Sequence, residues 1–528
     1  MGIYLNPGNS GFAEIDDADY VDKTMLIELI NRTVRTRNKL TCVSRPRRFG
    51  KSYAAKMLCA YYDRSCDSHD LFDNKNIARS ESYLTYLNHY NVIYLEITNF
   101  VSAANRQSVS LREVPNRIVD ALHDELVSLH PELPKEKSLA DLLIRCVEQN
   151  GGEPFVFIID EWDALIREAK DDEAAQKIYL DLLREWFKNG NFTPKVVAAA
   201  YMTGILPIKK DGRQSAVSEF DEFTMLDPFD FAEYVGFTEK EVMDRCTEKG
   251  MDYEEVKAWY DGYEFPAVGP VYNPYSVMNA LRTGKCRSYW RKTSAAESLK
   301  SYINMDFEGL QATVARLIAG ERIPVNADSF QNDFETFESA DDVLTLLIHL
   351  GYLTYDEEEQ AVQIPNEEVR IEFRQFLSQK RVNTGWIELI RRSQKLLDDT
   401  IAGNGEAVAE ALEEIREEQY APQFYNNEQV LRAVVKYAYF AAFGQYVKVE
   451  EMPSGKGIAD VVFIPASLSR LPAMVIELKW NKTSGGAIAQ IKNRRYTAAL
   501  EPFAGNILLV GINYDEKTGE HTCAIERM

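Results

Sequence analysis

The sequence lacks the marks of several protein classes. Its seven cysteines include no Cys-x-x-Cys pair, and its six histidines stand apart from one another. No zinc-ligand spacing results, and reduced thiols in a cytoplasmic protein are expected. No run of about 18 uncharged apolar residues occurs, so no membrane span is expected. The opening residues, MGIYLNPGNSGFAEIDD, lack a basic stretch followed by an apolar one, so no signal peptide is expected. Repeats and low-complexity tracts are missing, and 28 Gly and 19 Pro are scattered without the period of collagen. Positive charge is short as well: 60 Lys and Arg face 82 Asp and Glu, a net −22. Such a field repels phosphate on average, which excludes a bulk polyanion binder and confines any nucleic-acid contact to a local basic patch.

What is present suffices for several cores. The chain has 528 residues, 45 % hydrophobic and 27 % charged, so whole-chain disorder is excluded. Three regions are expected. Residues 1–225 alternate β-branched runs (Leu40–Ser44, Val92–Ile97, Phe155–Ile159, Val196–Tyr201) with helix-period segments (Ser52–Tyr62, Pro115–Leu129, Ala174–Phe187). That alternation predicts a parallel sheet with helices on both faces. Residues 226–400 read as mostly helical. Thr238-Glu-Lys-Glu241 is a capping-box pattern. The apolar helix Val343–Leu350 stops at Gly351, and a hairpin around the acidic turn Asp356-Glu-Glu-Glu359 precedes the helix Glu367–Leu377. This order is winged-helix-like, and the acidic tip favours a packing module over DNA docking. Residues 401–528 carry an acidic helix, Glu406–Glu418, read as a solvated face or linker. The order helix (Asn427–Phe443), three strands (Gln445–Glu450, Ala459–Ile464, Ala473–Lys479), helix (Gly485–Leu500) and strand (Asn506–Val510) follows. The expected class is α/β: a parallel-sheet domain, a helical and winged-helix-like middle, and a C-terminal α/β domain.

Ser44-Arg-Pro-Arg-Arg-Phe-Gly-Lys-Ser52 lies between a strand and a helix, the setting of a phosphate-binding loop. Gly50 lets the backbone approach an anion, Lys51 supplies charge, and the Ser52 hydroxyl can ligate Mg²⁺. Arg45 stands where the first glycine of the usual pattern belongs; Arg45 and Arg48 are expected to face the nucleotide. The apolar run Pro154-Phe-Val-Phe-Ile-Ile-Asp-Glu161 ends in two carboxylates. At the C-terminal end of a buried parallel strand, Asp160 would hold the metal through water and Glu161 would polarise the attacking water. Thr203, at the end of the next strand, is a candidate γ-phosphate sensor. Residues 32–51 hold eight Lys or Arg and no acid, suited to a triphosphate or a nucleic acid.

A second constellation lies near the C-terminus. Asp460 sits at a strand start, and Glu477 and Lys479 follow at i and i+2 of a later strand, on one face. If the strands pair, Asp460 and Glu477 can share one Mg²⁺ while Lys479 steadies the nucleophile or the developing phosphorane charge. Glu428, on the preceding helix, is a candidate third carboxylate. The next helix adds Gln490, Lys492, Arg494, Arg495 and Tyr496, with no acid between Glu477 and Glu501, a phosphate-contact patch.

The first half resembles the AAA-ATPase-like family of many anaerobic gut bacteria. The likeness rests on Arg45-Pro-Arg-Arg-Phe-Gly-Lys-Ser52, Ile159-Asp-Glu-Trp-Asp163 and Thr203-Gly204. It continues in Trp259-Tyr-Asp-Gly-Tyr263, Tyr272-Asn-Pro-Tyr-Ser276, Tyr289-Trp290, Leu350-Gly-Tyr-Leu-Thr-Tyr355 and Ile364-Pro-Asn-Glu-Glu368. The C-terminal part is similar to the PD-(D/E)XK nuclease domain often joined to that ATPase, through Asp460, Glu477, Lys479 and Gln490. It departs from that pattern at Met452 and Pro453, before Ser454-Gly455, and at Ile458, where an arginine is usual. The resemblance implies a P-loop parallel-sheet ATPase domain and a C-terminal α/β restriction-endonuclease-like domain, with ATP and Mg²⁺ as cofactors and a nucleotide-controlled nuclease acting on DNA, self-association being left open. The alternative is a nucleotide-dependent switch whose C-terminal domain grips nucleic acid without cutting it. A scaffold whose winged-helix-like segment binds a protein is the third reading.

Overall fold

The computed structural model describes residues 2–149, 151–208, 217–266, 268–290, 310–318, 320–327, 330, 337, 339–377, 384–419, 425, 427–439, 442, 446–454, 457–465, 471–493, 500, 503 and 505–528. Two compact units form: residues 1–309 with 323–369, and residues 310–322 with 370–528. Among the described residues no helix is long and apolar enough to cross a membrane.

The first unit is organised by strands β1 (Leu40–Ser44), β2 (Asn91–Glu96), β3 (Phe155–Asp160), β4 (Val197–Gly204) and β5 (Asp221–Phe223). They pair in parallel in the order β2-β3-β4-β1-β5. β1, β3 and β4 are buried at every position, as continuous apolar runs in a parallel sheet require. β1 and β3 flank β4, so the loop after β1 and the acids after β3 emerge at the same sheet edge. The helix after β1 spans Lys51–Tyr62.

The rest of this unit is helical with small sheets. Thr238 and Glu241 form the expected capping box at the head of the helix Glu239–Lys249. Short strands β6 (Phe237–Thr238), β7 (Tyr263–Phe265) and β8 (Gly269–Tyr272) make one sheet, and β9 (Ile323–Pro324), β10 (Thr354–Asp356) and β11 (Ala361–Gln363) another. The helix Ala340–His349, capped by Ser339, runs into Gly351 at φ 82°. Thr354 pairs with Gln363 in the expected antiparallel hairpin. β9 adds a third strand that sequence reading did not anticipate.

The second unit holds a mixed sheet of β12 (Tyr446–Ser454), β13 (Gly457–Pro465), β14 (Ala473–Trp480), β15 (Ile507–Asp515) and β16 (Glu520–Arg527), in that order. Only β14 and β15 are parallel, joined through the helix Ser484–Asn493. One face packs on the helices Gly405–Gln419 and Glu428–Ala438, with Val461, Ile476 and Leu478 in that core. The other face, with Val462 and Val475, packs on Ile488 and Ile491. None of the seven cysteines forms a disulfide. Burial first of all holds each thiol above its usual range.

Candidate functional site

The phosphate loop, residues 45–50, closes on itself. Gly50 takes φ 94°, and nothing lies within 4 Å of where its Cβ would sit, so the backbone there is open to an approaching anion. Lys51 is buried, and its ammonium donates to the carbonyls of Arg45 (3.0 Å) and Pro46 (2.9 Å). Burial pulls its pKa down, while Glu161, Asp160 and Asp163 pull the other way.

The acids at the end of β3 reach the same place. Asp160 is hydrogen-bonded by the hydroxyls of Ser52 and Thr203, the latter at 2.5 Å. Burial nonetheless holds its pKa above the usual carboxylate range. Glu161 adopts φ 54°, a left-handed conformation that costs a non-glycine residue roughly 1–2 kcal/mol. Its N–H donates to Thr203 Oγ1 at 3.2 Å, and its carboxylate is paired with Arg167. Burial alone would raise its pKa; Lys51, Arg167 and Arg47 together outweigh that and hold it below the ordinary value. Asp163, fully buried, accepts from the N–H groups of Ile205 and Leu206 at 3.0 Å each and from Arg167 Nε at 3.0 Å. It ties the turn after β3 to the turn after β4.

A cavity of about 610 Å³ opens over this cluster. Its lining includes Arg48, Gly50, Lys51, Ser52 and Glu161, the apolar side chains Ile15, Val21, Phe237 and Met278, and the charged Glu14, Asp17, Asp19, Lys23 and Arg282. Such a size suits a small-molecule ligand. Sequence reasoning missed the apolar part. It is built from residues 14–23 and 234–282, brought together by folding alone, and no local motif marks them.

Two expected nucleotide contacts are corrected. Arg45 is fully buried and does not line the cavity; its Nη1 donates to the carbonyls of Ser44 (2.9 Å), Phe223 (3.1 Å) and Thr224 (2.7 Å). The strand direction of β1 turns this side chain inward, toward β5. Thr203 likewise spends its hydroxyl on Asp160 and the Glu161 N–H, so it positions the acids instead of facing a phosphate. Arg48 does line the cavity. Its guanidinium stacks 3.9 Å from the Tyr275 ring centroid and donates to the Tyr289 carbonyl at 3.1 Å.

In the second unit, Val461 faces Ile476 across β13 and β14, and the same register places Asp460 opposite Glu477. Both side chains belong to the sheet face that carries Val462 and Val475, the face covered by the helix Ser484–Asn493. Asp460 Oδ2 accepts from the Leu478 N–H at 2.8 Å, and Oδ1 from Arg432 at 2.5 Å. Glu477 accepts from Lys479 Nζ at 2.9 Å and from the Gln490 amide. Asp460, Glu477 and Lys479 are all buried. The structure therefore gathers these four residues. Glu428 is a correction: no group of three metal-ligating side chains forms among the described residues. One helical turn after Glu428, Arg432 occupies Asp460 instead. Lys492 pairs with Glu526. Arg494, Arg495, Tyr496 and Gly455 lie outside the described residues, as do the side chains of Met452, Pro453, Ser454 and Ile458.

Comparison with known proteins agrees with this division. Residues 8–213 match the model of the AAA-ATPase-like family, described as Predicted AAA-ATPase. Residues 426–522 match the PD-(D/E)XK nuclease superfamily. An uncharacterized protein in the vnfD 5′ region of Azotobacter chroococcum mcd 1 is 22 % identical, covering 96 % of this chain and 95 % of its own. The Walker-type ATPase PABY2304 of Pyrococcus abyssi aligns at a TM-score of 0.36 and 14 % identity, over 67 % of this chain and 94 % of that one.

Proposed function

From a chain that joins an AAA-ATPase-like domain to a PD-(D/E)XK nuclease-superfamily domain, we propose an ATP-binding and ATP-hydrolysing protein whose nucleotide state controls Mg²⁺-dependent cleavage of DNA. The observation that carries the reading is that Lys51, Ser52 and Glu161 line the 610 Å³ cavity, with Asp160 hydrogen-bonded to Ser52 beside them.

The residues present fit Mg²⁺ at both centres, since each offers buried oxygen donors beside a lysine. Ser52 and Asp160 would hold it at the first, Asp460 and Glu477 at the second. Bound there, Mg²⁺ neutralises phosphate oxygens and acidifies a coordinated water. The chain's own part at the first centre is electrostatic. Lys51 exchanges two neutral carbonyl acceptors for phosphate oxygens, and Thr203 keeps Asp160 aimed at the loop. Glu161, held at low basicity by three cations, orients a water rather than taking its proton at the outset. At the second centre Lys479 and Gln490 fix the Glu477 carboxylate, and the Lys479 charge would stabilise a developing phosphorane.

One observation favours a second reading, a switch that binds nucleotide and nucleic acid with little turnover. The candidate water-positioning acid Glu161 is already paired with Arg167, and Asp460 with Arg432. Full-length protein with MgATP and linear DNA separates the two. The nuclease reading expects DNA loss that Glu477→Ala abolishes and phosphate release that Lys51→Ala abolishes. DNA loss retained in Glu477→Ala refutes the cutting assignment. ATP-dependent DNA retention without phosphate release supports the switch.

A further inference from the structure

The helix after β14 spans ten residues, Ser484–Asn493, and starts at the sheet edge beyond Lys479. Its first turn presses on β15 at Gly511. A Cβ there would collide with the Ser484 carbonyl and lie 2.9 Å from Ala487 Cβ. Gly511 is the partner of Glu477 across β14 and β15, and Asn513 is the partner of Lys479. A period of two along β15 sets Asn513 on the face of Gly511 and Leu509, which is also the face of Asp460, Glu477 and Lys479. The helix start and Asn513 therefore flank the second centre.

Donors are left open here. Asn513 is 2 % exposed. Its Oδ1 accepts from the Lys482 N–H at 2.8 Å, at the foot of the helix, which fixes which half of the amide is oxygen. Nδ2, on the same planar head, donates to no group among the described residues. In the first turn the Gly486 N–H donates to Thr483 Oγ1 at 3.0 Å and the Ala487 N–H to the Thr483 carbonyl at 3.2 Å. The N–H groups of Ser484 and Gly485 have no acceptor among the described residues. Glu516 accepts from Asn481 Nδ2 at 3.2 Å, not from these donors.

A nearly buried amide donor without an acceptor is unfavourable by itself. The first N–H groups of a helix, backed by its dipole, draw anions. One oxyanion touching both would answer three donors beside the Lys479 charge. Glu477 and Lys479 are two residues apart, roughly 7 Å along the strand, a step comparable to that between neighbouring phosphates of one nucleic-acid strand.

We propose that Asn513 Nδ2 and the N–H groups of Ser484 and Gly485 form a second phosphate subsite, holding the phosphate next to the one at Asp460 and Glu477. The inference rests on the nuclease reading above and adds positioning residues to Asp460, Glu477, Lys479 and Gln490. The ligand is a phosphate of a nucleic-acid strand, either an internal diester or a terminal monoester.

The test titrates a 3′-labelled oligothymidylate with full-length protein and reads fluorescence anisotropy, with Ca²⁺ replacing Mg²⁺ to hold the strand uncut. Asn513→Asp is isosteric: it keeps the oxygen that accepts from Lys482 and turns the open donor into an anionic acceptor. Gly485→Glu enters free space, with nothing within 4 Å of a Cβ, and an acid in the first turn favours the helix, so it folds even where Asn513→Asp does not. Each should raise Kd about tenfold, the loss of one charge-assisted hydrogen bond, and Gly485→Glu should leave Mn²⁺ affinity unchanged. Lys395→Glu is the charge control, on the helix Thr384–Ala402 packed against the opposite face; its Kd should stay near wild type. A preference for 5′-phosphorylated over 5′-hydroxyl strand that both variants lose identifies a terminal phosphate; equal losses on the two strands identify an internal diester. Either folded variant binding like wild type, Lys395→Glu weakening binding as much, or a matching loss of Mn²⁺ affinity in Gly485→Glu would overturn the subsite while leaving wild-type cleavage in Mg²⁺ untouched. Weakened binding in variants of a protein that cuts no DNA would keep the subsite and remove the nuclease activity. A wild type that binds no strand would overturn both.

Discussion

Replacing Gly351 by alanine probes the joint between the phosphate loop and the winged-helix-like segment. Gly351 sits at φ 82°, and an added Cβ would lie 2.7 Å from Pro46 Cβ and 2.8 Å from Pro46 Cγ. A proline ring has no alternative rotamer with which to retreat, and its carbonyl is engaged by Lys51. Two costs therefore add: about 1–2 kcal/mol for a left-handed alanine and about 1–3 kcal/mol for overpacking. The sum is roughly 2–5 kcal/mol. Gly250 supplies the control, because it has φ 66° and nothing within 4 Å of a Cβ. Gly250→Ala should cost only the first part, about 1–2 kcal/mol. Urea unfolding of the full-length variants, followed by tryptophan fluorescence, measures both in the same compact unit. Pro46 belongs to the phosphate loop, so Gly351→Ala should also reduce the rise in melting temperature given by MgATP, while Gly250→Ala leaves it intact. Equal stability losses in the two variants would refute the contact as the source of the difference.

Three further outcomes are expected. His349 is neutral in the fold: burial, and then the Arg45 charge, push its pKa down to about 3. The unfolded chain, near 6.5, binds the extra proton, so stability is full above pH 6.5 and falls as pH drops toward 3, by about 2 kcal/mol at pH 5. His349→Gln should flatten that acid limb of the melting curve, and an unchanged limb would contradict it. Thr203→Val removes one of the two hydroxyls bonded to buried Asp160 and should cost about 1–3 kcal/mol, with Thr203→Ser restoring it; a Val variant as stable as wild type would show the bond to be idle. Arg432→Met frees Asp460 from a competing cation, so Mn²⁺ titration followed by calorimetry should show several-fold tighter binding, whereas weaker or equal binding would show that Arg432 assists the metal.

The sequence made the scaffold legible where periodicity and burial coincide. β1, β3 and β4 are mostly apolar runs buried at every position, and the glycine, lysine and acids that chemistry demands follow their ends. The shared face of Asp460 and Glu477 was readable for a similar reason, because a period of two fixes orientation once strands pair. Side-chain destinations were less legible. Arg45 and Arg48 look alike in sequence, yet one is buried against β5 and the other stacks on Tyr275. That choice depends on β5 and on residues some 230 positions later, which no local pattern encodes. The same applies to Arg432, whose pairing with Asp460 joins a helix to a strand. β16 escaped notice because its burial is patchy and its charged residues break the alternation.

The cysteines have a practical consequence. With every native sulfhydryl pushed toward its protonated form by burial, little nucleophilic sulfur is on offer near neutral pH. A single cysteine introduced at an exposed position would react with maleimide dyes well ahead of the native seven. Distance measurements by fluorescence transfer can thus begin from the natural sequence, without first stripping it of sulfur.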